Sequence, residues 1–209
     1  MNYLWFDCET GGTDESRHSL LTAFFAVYSP EWEKLGELEL FLKPDSGDIV
    51  AEQEALDVTG INIEEHLKDP RTVPYSEGAK ELIKFLEQYK IPKKRRHFRP
   101  CGQNVGFDIG FVNAQLVSKP DWDKLVHYRP LDTLQILTFL QDVGFLPADL
   151  GNLSSQVEYF NIPKGRAHDA KEDIRMTVEV YKAYCKLMQQ KKDNMSGVSN
   201  NSLLEIVER

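Results

Sequence analysis

No stretch of this 209-residue chain approaches the roughly 20 consecutive apolar residues that a bilayer crossing needs, so no membrane partner is expected. Cysteine is scarce. Cys8, Cys101 and Cys185 are odd in number and widely spaced, which excludes a disulfide framework and a zinc site. They read as small, partly buried hydrophobes in a reducing compartment. Basic charge is short as well, with 25 Lys and Arg against 33 Asp and Glu and a net charge of −8. That excludes a protein that coats duplex DNA by neutralising many phosphates, and leaves open one that holds only a few nucleotides. The opening Met1-Asn2-Tyr3-Leu4-Trp5-Phe6-Asp7 lacks a basic n-region and a small-residue cleavage site. It is expected to be the first strand of a mature cytoplasmic protein rather than a signal peptide.

Apolar residues at 41% and charged residues at 28% fit an ordinary globular domain. Residues 2–7 and 19–28 are aromatic-rich apolar runs of strand length. Residues 34–42 alternate, with Leu38, Leu40 and Leu42 on one face and Glu37, Glu39 and Phe41 on the other. The three predict an antiparallel meander. The period then becomes helical over 51–58 and 75–90, where Ala79, Leu82, Ile83, Phe85 and Leu86 form a stripe. A short polar strand interrupted by Pro100 is expected at 97–102, and another strand near 126–131. Helices are expected at 106–118, 132–142, 149–160 and 169–190. Three strands followed by alternating helix and strand indicate a mixed α/β sheet covered by helices. Residues 1–190 are read as one domain, and the polar stretch 191–209 as a flexible tail.

Asp7 and Glu9 lie two apart at the end of the first strand, so their side chains leave the same face. At about 5 Å and an effective dielectric near 20 they repel by roughly 3 kcal/mol, which a cation between them would relieve. A strand end emerging into solvent would carry the same pair. Asp108, at the end of Gly102-Gln103-Asn104-Val105-Gly106-Phe107-Asp108, falls in the first turn of a helix, where the macrodipole favours an acid in any case. His168 and Asp173 lie in Gly165-Arg166-Ala167-His168-Asp169-Ala170-Lys171-Glu172-Asp173, before and within the last helix, so both can point to one site. Asp169 fits the N-terminal acid of that helix better than a ligand. Lys93-Lys94-Arg95-Arg96, with Arg99 nearby, invites a nucleic-acid reading, although a solvated loop accounts for it better.

Taken in order, Phe6-Asp7-Cys8-Glu9-Thr10, Asn104-Val105-Gly106-Phe107-Asp108 and His168-Asp169-Ala170-Lys171-Glu172-Asp173 resemble the three motifs of the DEDDh exonucleases, the DnaQ-like proofreading and RNA-trimming nucleases. Ala55-Leu56-Asp57-Val58-Thr59-Gly60-Ile61 is similar to the family's intervening segment, and Leu131-Asp132-Thr133 to its later Asp-Thr step. The resemblance covers roughly residues 3–188. It implies an RNase H-like fold, a mixed five-stranded sheet of an antiparallel three-strand meander plus two parallel strands, flanked by helices. It implies that Asp7, Glu9, Asp108 and Asp173 hold two Mg²⁺ or Mn²⁺ ions and that His168 is the general base. Thr10, Val58 and Asn104 would contact substrate. Hard oxygen ligands do suit these cations, and a histidine suits proton removal near neutral pH. The chain departs from the family at Thr10-Gly11-Gly12-Thr13, where a leucine is usual and Val58 would take part of its place, and at Gln103, where a histidine is common.

The implied activity is hydrolysis of single-stranded nucleic acid from its 3′ end, DNA favoured, releasing nucleoside monophosphates. An RNA-trimming or oligoribonuclease-like enzyme shares that chemistry. A non-catalytic scaffold of a replication or repair complex is the third expectation. For it, Ser202-Leu203-Leu204-Glu205-Ile206-Val207 in the tail offers a docking segment to a polymerase or repair partner.

Overall fold

The computed structural model describes residues 1–165 and 169–196, with side chains to residue 193. Its centre is β1 (Asn2–Thr10), which pairs antiparallel with β2 (Leu20–Tyr28), and β2 pairs antiparallel with β3 (Lys34–Lys43). This is the expected meander. Glu37 and Glu39 face solvent while Leu40 and Leu42 are buried, as the alternation requires.

Helices α1 (Gln53–Thr59) and α2 (Ile63–Lys68) follow, then β4 (Thr72–Pro74), α3 (Tyr75–Gln88) and β5 (Phe98–Gly102). Next come α4 (Val105–Phe111), a π-helical turn at Val112–Leu116, α5 (Lys119–Leu125), β6 (Leu131–Asp132), α6 (Thr133–Asp142), α7 (Leu153–Tyr159) and α8 (Ala170–Ser196). The sheet order is β4-β3-β2-β1-β5-β6, with β5 parallel to β1, β6 parallel to β5, and β4 parallel to β3.

The sheet therefore has six strands rather than five. The three residues of β4 extend the meander's outer edge, and so short a strand carries no alternation to read. Helices α2 and α5 were also not foreseen. Each is a short helix started by a side-chain cap, Asn62 on the Glu65 N–H and Ser118 on the Asp121 N–H. The helix expected over 106–118 ends early in its π-helical turn, where Gln115 is diverted to the β1–β2 loop. Its amide donates to the carbonyls of Glu15 (2.9 Å) and His18 (2.6 Å) and accepts the Leu20 N–H (2.9 Å). The last helix runs to Ser196, six residues past the composition break, and the rest of the expected tail lies outside the described residues.

Pro100 is tolerated in a central strand because β6 pairs only with Cys101 and Gly102. Pro100 falls between that pairing and the isolated Phe98–Val126 bridge, where no ladder bond needs its missing N–H. The two sheet faces are buried separately. Leu4, Phe6 and Cys8 of β1 pack towards Leu82 and Leu86 of α3 and Phe111 of α4. Trp5 packs on the opposite face with Ile174 and Val178 of α8. Asp7 and Glu9 continue the Trp5 face and so emerge beside the start of α8.

Candidate active site

Three of the predicted acids meet at this edge. One carboxylate oxygen from each of Asp7, Glu9 and Asp173 lies within 4.8 Å of the other two. Asp7 and Glu9 arrive by strand period. Asp173 arrives because α8 begins at Ala170, directly over the end of β1. Asp169 caps that start, its carboxylate accepting the Glu172 N–H at 3.3 Å and its carbonyl the Asp173 N–H at 2.9 Å. It is thus the helix-terminal acid the sequence suggested.

Asp108 reaches the site from the other side of the sheet. It is 3% exposed, and its Oδ1 accepts the backbone N–H of Cys8 at 2.9 Å. Strand β5 pairs with β1 only as far as Trp5, so Asp108 supplies the acceptor that the strand no longer does. It places a fourth carboxylate behind Asp7 and Glu9. His168 lies outside the described residues.

The electrostatics are those of buried acids set close to one another. Burial, then the charges of Asp108, Glu9 and Asp173, hold the Asp7 carboxyl well above the usual range. Burial with Asp173 and Asp169 raises Glu9 to about 7. Burial raises Asp108 to about 8 despite the opposing hydrogen bond from Cys8. Such a set of hard oxygen donors fits a divalent cation of the Mg²⁺ or Mn²⁺ type, whose charge would replace the protons.

Two clefts flank Glu9 and share Val58 and Thr59 as a wall, one of about 460 Å³ towards Phe24 and Phe41 and one of about 400 Å³ towards Thr10 and Phe107. A larger groove of about 550 Å³, between α3 and α5, contains none of these acids. Val58 is 54% exposed on α1 and stands at the rim of both clefts. Thr10 is buried, and its hydroxyl donates to the Gly12 carbonyl at 2.7 Å. Asn104 is exposed in a left-handed conformation (φ 57°), its N–H donated to Asp132 at 2.9 Å. It stands at the turn that leads to Asp108 and lines neither cleft.

The Gly11-Gly12 pair acquires a physical reason. A Cβ on Gly11 would meet the Val50 carbonyl at 2.5 Å, and one on Gly12 the His18 ring at 2.4 Å. His18 is 4% exposed. Its Nδ1 accepts the Asp14 N–H at 3.1 Å and its Nε2 faces Glu52 Oε1 at 3.1 Å, which joins the loop after β1 to the start of α1. Sequence reasoning missed His18 and Gln115. The only signal was polarity, between the first two strands for His18 and within the helix expected over 106–118 for Gln115.

A mixed sheet with carboxylates converging at the end of its first strand defines an RNase H-like fold with an acidic, cation-type site. No family model matches the chain. The oligoribonuclease of Paracidovorax citrulli (strain AAC00-1) is 24% identical over 189 residues, 89% of each chain. E. coli Exonuclease I in complex with a dT13 oligonucleotide superposes with a TM-score of 0.70 at 19% identity, covering 98% of this chain and 45% of that one. A moderately thermophilic Exonuclease I from Methylocaldum szegediense gives 0.66 at 21% identity, covering 92% and 41%. The chain thus spans less than half the length of the Exonuclease I chains and most of the oligoribonuclease. Fold, motif order and relative together point to the DnaQ-like 3′→5′ exonuclease family of the RNase H-like superfamily. None of the helices described is long and apolar enough to cross a membrane.

Proposed function

We propose that the chain is a metal-dependent 3′→5′ exonuclease that hydrolyses single-stranded nucleic acid, DNA favoured, to nucleoside monophosphates in the cytoplasm. The observation that carries the reading is the approach of Asp7, Glu9 and Asp173 within 4.8 Å, with Asp108 hydrogen-bonded behind them. Asp7, Glu9, Asp108 and Asp173 would hold two Mg²⁺ or Mn²⁺ ions. When bound, such a pair supplies the charge that activates water and stabilises the leaving 3′-oxygen in an in-line displacement.

The chain's own residues do the rest. Glu9, Val58 and Thr59 stand between the two clefts, so a terminal nucleotide seated against Val58 brings its phosphodiester to the acids. The Thr10–Gly12 hydrogen bond fixes the loop beside it. His168, five residues before Asp173 in the sequence, is the residue proposed to take the attacking water's proton, because an imidazole ordinarily changes charge around neutral pH.

The dT13 bound by the E. coli neighbour favours DNA as the polymer. The near end-to-end match to an oligoribonuclease favours short RNA as the second reading. A 5′-labelled oligonucleotide incubated with Mg²⁺ is expected to give a ladder of shortened products that EDTA abolishes. Matched DNA and RNA oligomers decide the sugar. An intact oligonucleotide at all metal concentrations would refute the activity. A polymerase or repair partner remains part of this proposal through residues 202–207.

A further inference from the structure

The basic run at Lys93–Arg96 does not stand alone in the fold. Residue Arg99 of β5 and Arg129, just before β6, lie beside it at one corner of the sheet. Among the described residues, none of Lys93, Lys94, Arg95, Arg96, Arg99 and Arg129 makes an ion pair with an acid, whereas many of the chain's other cations do. Between the arginines stands Tyr128, 60% exposed, with the guanidiniums of Arg96 and Arg129 each 5.3 Å from its ring centre and the His127 ring stacked on it at 4.6 Å. Burial, then the charges of Arg96, Arg129 and Arg99, lower the His127 pKa, and its Nδ1 accepts the Arg129 N–H at 3.0 Å. In a chain of net charge −8, this is a concentrated cationic corner with flat, exposed stacking surfaces.

We propose that this corner is a second contact for single-stranded nucleic acid, with Arg96, Arg99 and Arg129 holding backbone phosphates and the Arg96–Tyr128–His127 stack receiving an unpaired base. Planar guanidiniums and aromatic rings beside free cations are the two elements that sequence-tolerant single-strand binding uses. The inference rests on the nuclease reading for its geometry. Arg99 pairs with Tyr3, four residues before Asp7 on β1, so the corner lies about 13 Å from the acids along the strand. An oligomer of several nucleotides reaches both places, and a very short one reaches only the acids. The corner therefore makes binding depend on length.

The test uses the full chain in EDTA, so that nothing is cleaved, and reads anisotropy of labelled dT20, U20 and dT2. The Arg96→Gln/Arg99→Gln/Arg129→Gln variant is expected to weaken 20-mer binding about tenfold or more. It should also reduce the slope of log K against log salt by about 2, at roughly 0.7 per phosphate contact, with dT2 unchanged. Should the triple variant not fold, Arg129→Gln alone, at an exposed position, is expected to lower the slope by about 0.7. A 20-mer affinity and slope equal to wild type would overturn the proposal. So would equally tight wild-type binding of polyglutamate lost equally in the variant, which would mark a surface for acidic protein. Failure of the nuclease reading appears separately, as wild-type protein that leaves dT20 intact in Mg²⁺ while the binding result stands.

Discussion

Asp108 accepts the backbone N–H of Cys8 at 2.9 Å, across a hundred residues of sequence, and through that bond a helix on one face of the sheet delivers its carboxylate to acids on the other. The bond couples backbone and charge, so the two can be separated by substitution. Asp108→Asn keeps an acceptor for Cys8 and removes the charge. It is expected to leave metal-free thermal stability equal or higher, because no buried carboxyl at that position then has to ionise as pH rises, while nuclease rate falls about 100-fold or more. Melting curves in EDTA and the labelled-oligonucleotide assay check both. A variant of normal rate would remove Asp108 from the metal-binding set.

The raised acids link stability to pH. Glu9, near 7 against an ordinary 4.5, and Asp108, near 8 against 3.8, keep protons in the fold that the unfolded chain has already released. Between about pH 4.5 and 8 the unfolded state binds fewer protons, so metal-free stability falls as pH rises through that window and levels off above it. Divalent cations compete for the same oxygens. The gain in Tm on adding Mg²⁺ or Mn²⁺ is therefore expected to be larger at pH 8 than at pH 5.5, read by thermal melts in matched buffers.

His18 and Gly12 are expected to be energetically coupled. Gly12→Ala places a methyl against the His18 ring and should cost about 1–3 kcal/mol by overpacking. Placed in a His18→Ala background, the same change should cost at least about 1 kcal/mol less, as measured by urea unfolding of the full double-mutant cycle. Additive costs would mean that the ring yields without strain.

Gln115 holds the β1–β2 loop with three hydrogen bonds, to Glu15, His18 and Leu20. Gln115→Ala is expected to destabilise by about 2–3 kcal/mol, at roughly 1 kcal/mol per bond. Hydrogen exchange at the Leu20 amide should accelerate with it. An unchanged exchange rate there would show that the loop is held by other means.

Val58 should separate binding from folding. At 54% exposure it carries little of the core, so Val58→Ser is expected to change stability by no more than about 0.5 kcal/mol. If the terminal nucleotide rests on it, KM for short oligonucleotides rises several-fold with kcat less affected. Steady-state kinetics on tetramers decides this.

Much of the architecture was legible because its signals are local. Alternation marked β3, the aromatic-rich runs marked β1 and β2, and the apolar stripe at 79–86 marked α3. The two-residue spacing of Asp7 and Glu9 already fixed their common face. Elements without a period long enough to read, the three residues of β4 and the short helices α2 and α5, were not legible. Nor was the π-helical turn, whose reason lies in Gln115's partners about a hundred residues earlier.

By itself the chain's order of residues determined which acids exist, and which of them a strand or helix period would turn the same way. Tertiary structure alone decided that Asp173 comes within 4.8 Å of Asp7 and Glu9, that Asp108 binds the Cys8 amide, and that Arg129 joins Arg96 around Tyr128. The reason is range. Periodicity records how a segment meets its own neighbours, whereas parallel pairing after a crossover and a helix docked over a strand end depend on burial shared by segments far apart in the chain.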